Sequence, residues 1–215
     1  MKKKVILVLI IILSVNNSIY IKAQDKFIPE TTIGIKLGAN FSKIIFDTLI
    51  SQSLLQGFNG GVVFEFISEP HLGIQLELNY SQKGWSENLD SSNIYRRKLN
   101  YLEFPFMTRI EIGNGNTKFT INLGAYFSYL IYETQTMKII NKNEIRNYYN
   151  NKIDNNFEYG LCFGLGLMRK TSIGNFELEF RFNQGLSNIF DSNRYSISTS
   201  QNQVISVSLF YLIKL

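Results

Sequence analysis

His71 is the only histidine of the chain and Cys162 its only cysteine. A serine or cysteine nucleophile is usually activated by a base within hydrogen-bond reach, so a hydrolase or acyltransferase would need His71 at its centre. Position 71 instead falls at the short-turn end of an alternating segment and reads as a turn residue facing water. A metal cluster cannot be built from one histidine and one cysteine without several carboxylates, and no spacing suggests one. Glu177 and Glu179 stand two residues apart, and paired carboxylates do acid–base work. Arg181 follows at the same spacing, which favours an ion-pair reading. "GLCFGLGLM" (160–168) has the glycines of a phosphate loop but lacks the Lys-Ser/Thr that would follow and the switch from strand to helix. The expectation is therefore no catalytic residue, no cofactor and no metal.

The elements that position these residues are strands. In "HLGIQLELNYSQKGW" (71–85), Leu72, Ile74, Leu76, Leu78 and Tyr80 alternate with Gly73, Gln75, Glu77, Asn79 and Ser81. Successive side chains of a strand point to opposite faces, so one face is apolar and the other polar. Eight segments alternate in this way, at about 32–42, 57–68, 71–84, 98–112, 117–132, 157–170, 174–187 and 203–215. The connections 69–70, 113–116 and 171–173 are short; 43–56, 85–97, 133–156 and 188–202 are long. "GNGN" (113–116) carries the Gly and Asn that tight hairpins require. An even number of antiparallel strands, with short turns at one end and long loops at the other, is the layout of an outer-membrane barrel.

The two faces differ in kind. One holds Ile33, Ile35, Leu37, Val62, Phe64, Phe104, Phe106, Leu123, Leu165, Phe180 and Leu209 and almost no charge. The other holds Lys36, Glu65, Glu77, Glu103, Arg109, Glu111, Glu158, Glu177, Glu179 and Arg181, together with many glycines and Cys162. Glycine weakens a strand, so its recurrence on one face asks for a steric reason. The interior of a narrow barrel supplies one, and charges enclosed there need partners. The apolar face is thus expected to meet lipid. The polar face becomes a filled bore with a structural charge network of Lys36, Glu65, Glu77, Glu103, Arg109, Glu177, Glu179 and Arg181. Phe41, Phe58, Tyr80, Trp85, Tyr129 and Tyr159 fall near the long-loop ends, where an interfacial aromatic girdle belongs.

Residues 1–23 read as a signal peptide: Lys2, Lys3 and Lys4 precede the apolar run Val5 to Val15, too short to span a bilayer, and Ala23 ends a cleavage site. That leaves 24–215 as the barrel domain. The four lysines of residues 1–23 account for most of the net charge of +5, and the remainder has 18 basic against 17 acidic residues. Nothing in that balance suggests a nucleic-acid surface.

"GIKLGANFS" (34–42), "LELNYSQKG" (76–84), "KLNYLEFPF" (98–106), "INLGAYFSYL" (121–130) and "LEFRFNQGLSNIF" (178–190) resemble, in order and spacing, the PorT-type outer-membrane β-barrel proteins of Bacteroidetes-like bacteria. The resemblance implies an eight-stranded antiparallel up-and-down barrel in the outer membrane of a Gram-negative cell, inserted by the barrel-assembly machinery and surrounded by outer-membrane lipid. It also raises a link to assembly of a type IX-like secretion machine, the role of the naming member. The residues themselves leave three classes open: an envelope or interaction protein that meets a protein partner through its long loops, a secretion accessory, and a small barrel enzyme acting on lipid. The loop 133–156, with Lys138, Lys142, Arg146, Tyr148, Tyr149 and Lys152 among many Asn, is expected to be solvated.

Overall fold

The computed structural model describes residues 27–47, 50–88, 94–138, 146–192 and 198–215. The expected signal peptide lies outside the described residues. The strands are β1 (Glu30–Phe46), the two-residue β2 (Gln52–Ser53), β3 (Leu55–Glu69), β4 (Leu72–Asn88), β5 (Ile94–Ile112), β6 (Thr117–Lys138), β7 (Phe157–Thr171), β8 (Gly174–Gly185) and β9 (Ser200–Lys214). Apart from β2, which lies along the end of β4, each strand pairs antiparallel with its chain neighbours, and β1 pairs with β9 from Thr32↔Lys214 to Phe46↔Ser200. The sheet closes on itself as an eight-stranded up-and-down barrel. Closure removes the edges that an open sheet would expose.

Local chemistry accounts for the turns. Gly113 and Gly115 take φ of 121° and 89° in the connection to β6, and Gly174 takes 141° where β8 begins. Side chains rarely adopt such angles, so glycine sets these reversals. The ladder between β4 and β5 skips Glu77 and Leu78 against Phe104 and Pro105. Proline has no N–H to give to a ladder, and the gap falls beside it.

Alternation decides what lies inside. Lys36, Glu65, Glu77, Arg109, Glu177 and Arg181 are buried in the bore, whereas Leu37, Val62, Phe104, Leu123, Phe180 and Leu209 stand exposed around the outside. A continuous apolar wall on this scale is one that a bilayer solvates.

Several strands reach farther at the long-loop end than their alternation predicts: β1 runs to Phe46, not 42, β4 to Asn88, not 84, β5 begins at Ile94, not near 98, and β6 runs to Lys138, not 132. The reason is that the faces exchange polarity at the long-loop end. There Ile44, Tyr95, Leu99, Tyr101 and Leu130 point inward and are buried, while Arg96 and Lys98 take the outward places. This is the polarity of a water-soluble protein, and a search keyed to an apolar outer face stops where it begins.

Trp85 is corrected by the same observation. It is not a girdle residue: it is fully buried inside the barrel mouth. Alternation from Gln75 through Lys83 places position 85 inside. Phe41, Tyr80, Tyr129 and Tyr159 do occupy outward positions. The loop 133–156 is likewise not a solvated arm throughout, since Tyr148, Tyr149 and Ile153 are buried against the barrel mouth.

Candidate functional site

The bore is filled by layers of ion pairs, centred in turn on Arg109, on Arg181 with Lys36, and on Lys83. Nearest the short turns, Arg109 of β5 meets Glu177 at 2.6 Å, Glu65 at 3.2 Å and Glu111 at 3.3 Å. Thr120 and Thr32 donate to Glu177 and Glu65. In the middle, Arg181 of β8 grips Glu77 with both terminal nitrogens, at 2.6 and 2.9 Å, and meets Glu179 at 2.7 Å. Lys36 reaches the same Glu77 at 2.9 Å, and Asn122 donates to Glu179. Gln75 joins the two layers, accepting from Arg109 and donating to Glu77. Every layer follows the same physical rule, that an enclosed charge is tolerable when a counter-charge and hydrogen bonds surround it.

A third layer centres on Lys83 of β4, at 2.9 Å from Glu158 and 3.3 Å from Glu103. Its ammonium lies 4.3 Å from the ring centre of Tyr101 and 5.0 Å from that of Tyr126. Tyr126 and Asn202 also donate to Glu158.

Of the eight residues expected to form the charge network, seven meet within the two lower layers. Glu103 stands apart with Lys83. Sequence reasoning missed Lys83, Glu87 and Arg97 as interior charges. A signal existed for each: Lys83 and Glu87 continue the parity of Glu77, and Arg97 that of Glu103.

Glycines on β7 make the room. A β-carbon on Gly166 would sit 2.4 Å from Glu177 Oε1 and from Thr120 Oγ1, and one on Gly164 would sit 2.8 Å from Glu179 Oε2. The "GLCFGLGLM" run is thus a trough that admits the carboxylates of β8. Cys162, two residues before Gly164, packs buried with Met107 and Tyr126. His71 stays at the short-turn end, its Nδ1 2.9 Å from the carbonyl oxygen of Glu111. Among the described residues no group of three or more His, Cys, Asp or Glu is arranged to hold a metal.

Above the third layer the mouth is closed by an aromatic cap. Trp85 and Tyr95 from the wall pack with Tyr148, Tyr149 and Phe190 from two connections. Tyr95 and Tyr149 stack at 4.0 Å, and Trp85 meets Phe190 edge-on at 6.1 Å. Glu87 is the acceptor at the centre, taking hydrogen bonds from Trp85 Nε1 at 2.7 Å, Tyr148 at 2.6 Å and Tyr149 at 2.8 Å, with Arg146 Nε 3.1 Å away. Burial and the Glu87 carboxylate push both phenols well above the ordinary tyrosine range. Arg97 ties wall to cap, bonding Glu133 and the carbonyl of Asn151. Asn150 allows the chain to turn there, with φ of 62°, a conformation its short polar side chain tolerates.

The chain thus forms a closed eight-stranded ring, apolar outside and charged within. The family described as outer membrane protein beta-barrel domain matches residues 23–191. The chain belongs to that family. Its place is accordingly the outer membrane, with lipid against the apolar wall. Among solved structures this family barrel is similar to Ail, the attachment invasion locus protein of Yersinia pestis, at 13% identity and a TM-score of 0.44, covering 86% of this chain and 99% of that one. It is also similar to OprG from Pseudomonas aeruginosa, at 10% identity and 0.48, covering 86% and 94%. A third is Neisserial surface protein A, at 8% and 0.41, covering 83% and 96%. No curated protein matches the chain.

Proposed function

We propose that this barrel is a non-enzymatic envelope or interaction protein with a closed bore, acting through the segments at its long-loop end, which lie outside the cell. One observation carries the reading: three layers of interlocked ion pairs lie beneath a cap held on Glu87. Eight strands leave an interior just wide enough for side chains to fill. The orientation follows the general arrangement of short periplasmic turns and longer outer loops.

The test is conductance of the purified barrel in planar bilayers, paired with capture of partners by cells carrying the protein tagged within residues 146–155. Conductance near background and labelling of the tag on intact cells are expected. Steady open-channel currents would overturn the closed-bore reading. The PorT-like alternative, a secretion accessory, predicts that deleting the gene blocks protein export, which an interaction protein would leave intact.

A further inference from the structure

We propose that the outer face of β5 at the long-loop rim holds the phosphate of a lipid headgroup. The register of three strands makes the site. Asn100 of β5 pairs with Gln82 of β4 and Tyr132 of β6. These side chains bond one another: Tyr80 donates to Asn100 Oδ1 at 2.6 Å, Gln82 donates to the same oxygen at 3.0 Å, and the hydroxyls of Tyr80 and Tyr132 lie 2.9 Å apart. Immediately below, Leu78 and Leu102 are exposed on the outer wall. The row through Asn100 is therefore where the apolar wall ends and the polar layer of the membrane begins.

The next two outward positions of β5 are Lys98 and Arg96. Each outward step is ~6.7 Å along a strand, or ~5 Å of height at the usual barrel tilt. The headgroup layer is ~5–8 Å deep. Lys98 thus falls within it, and Arg96, ~10 Å above the Asn100 row, stands just beyond it, from where its long side chain can reach back into the layer. Lys98 is flanked by Gly84 and Thr134, and Arg96 has Thr136 beside it on β6, so no bulky neighbour covers either cation. Neither has an acidic partner among the described residues, although every cation of the bore has one. A guanidinium and an ammonium one above the other, over a row of amide and hydroxyl groups, suit a phosphate monoester and repel no part of it. The partner is an anionic lipid of the outer leaflet, taking the long-loop end as the outer side as in the reading above.

The experiment is retention of lipid A, a phosphorylated lipid, by the purified folded barrel in neutral detergent. It does not depend on orientation in the cell, so its failure leaves that reading standing. The double variant R96Q/K98Q is expected to retain lipid A about thirtyfold more weakly, from the usual contribution of two cations near a charged surface. K98R should retain it like the parent, and K43Q, at an outward lysine elsewhere on the rim, should change nothing. Equal retention by parent and double variant overturns the proposal, as does equal retention of dephosphorylated lipid A. Displacement of lipid A by millimolar inorganic phosphate would point to free phosphate and overturn the lipid assignment. Folding of each variant is checked by its heat-dependent gel shift. Should the double variant fail that check, the parent decides: retention unchanged when salt is raised from about 0.05 to about 0.5 M would overturn the proposal, because an exposed charge pair is screened over that range.

Discussion

Arg181 and Glu77 meet across the bore as a two-pronged pair, Nη2 to Oε1 at 2.6 Å and Nη1 to Oε2 at 2.9 Å, joining β8 to β4 across a sequence separation of 104. Glu77 has a second cation in Lys36, whereas among the described residues Glu179 forms an ion pair with Arg181 alone. Replacing Arg181 by methionine strands both carboxylates, and Glu179 the more completely. The expected loss is about 3–5 kcal/mol, the usual cost of an unpaired enclosed charge. R181M/E179Q should recover more stability than R181M/E77Q, because the latter leaves Lys36 without its acid. Thermal unfolding in detergent, read by the gel shift of folded and unfolded barrels, ranks the three. Equal recovery by both double variants would contradict the unequal sharing.

Much of this architecture is legible in the residues. Period-two alternation from Ile33 to Leu37 and from Leu72 to Tyr80 reveals the strands and the parity of their faces, and the sorting of short and long connections reveals closure. The layers themselves are not legible. Whether Arg181 meets Glu77, Glu103 or Glu179 depends on the stagger between β4, β5 and β8, which period two leaves free. The cap is hidden for a different reason. Trp85, Tyr95 and Tyr101 follow the parity of the charged residues, yet they are apolar, because the surroundings of the wall change from lipid to water at their height. Tyr148 and Tyr149 belong to a segment without periodicity, and their burial follows from the Glu87 carboxylate and the aromatic rings at the mouth.

Glu87 should be the residue on which the cap depends. Replacing it with alanine removes the acceptor of Trp85, Tyr148 and Tyr149 together. Each buried donor left unpaired costs about 1–3 kcal/mol, enough in sum to favour an open segment 146–155 over a docked one. Trypsin should then cut at Arg146 or Lys152 in E87A much faster than in the parent, while the barrel stays folded. E87Q, which still accepts, should fall between them. Equal cleavage of all three proteins would show that the aromatic packing alone holds the cap.

The trough on β7 gives a steric prediction. At Gly166 a methyl group would collide with Glu177 and Thr120, both held by the Arg109 layer. At Gly60 the nearest atom is Leu37 Cδ2, 2.8 Å away, the end of a flexible side chain on the outer wall. G166A should therefore destabilise the barrel by about 1–3 kcal/mol, as overpacking does, and G60A by much less. Denaturant unfolding of the two variants checks the order. G60A as the more harmful of the two would mean that the bore is less tightly filled than the geometry indicates.

The cap should also resist alkali until its tyrosines ionise. Burial first, and then the adjacent Glu87 carboxylate, raise Tyr148 and Tyr149 above the ordinary value of 10.0. The folded state therefore holds these protons at a pH where the unfolded segment has released them. A group with a raised folded pKa contributes its stability in full below the unfolded value, and that contribution declines as pH rises above about 10. Absorbance at the tyrosinate band should show no contribution from this pair between about pH 10 and 11, so that Y148F/Y149F and the parent give superimposable curves there. Above that range the parent absorbance should rise over that of Y148F/Y149F as these two phenols ionise and the cap loosens. A parent curve that rises by two tyrosines near pH 10 would place these phenols in water and dismiss the Glu87 latch.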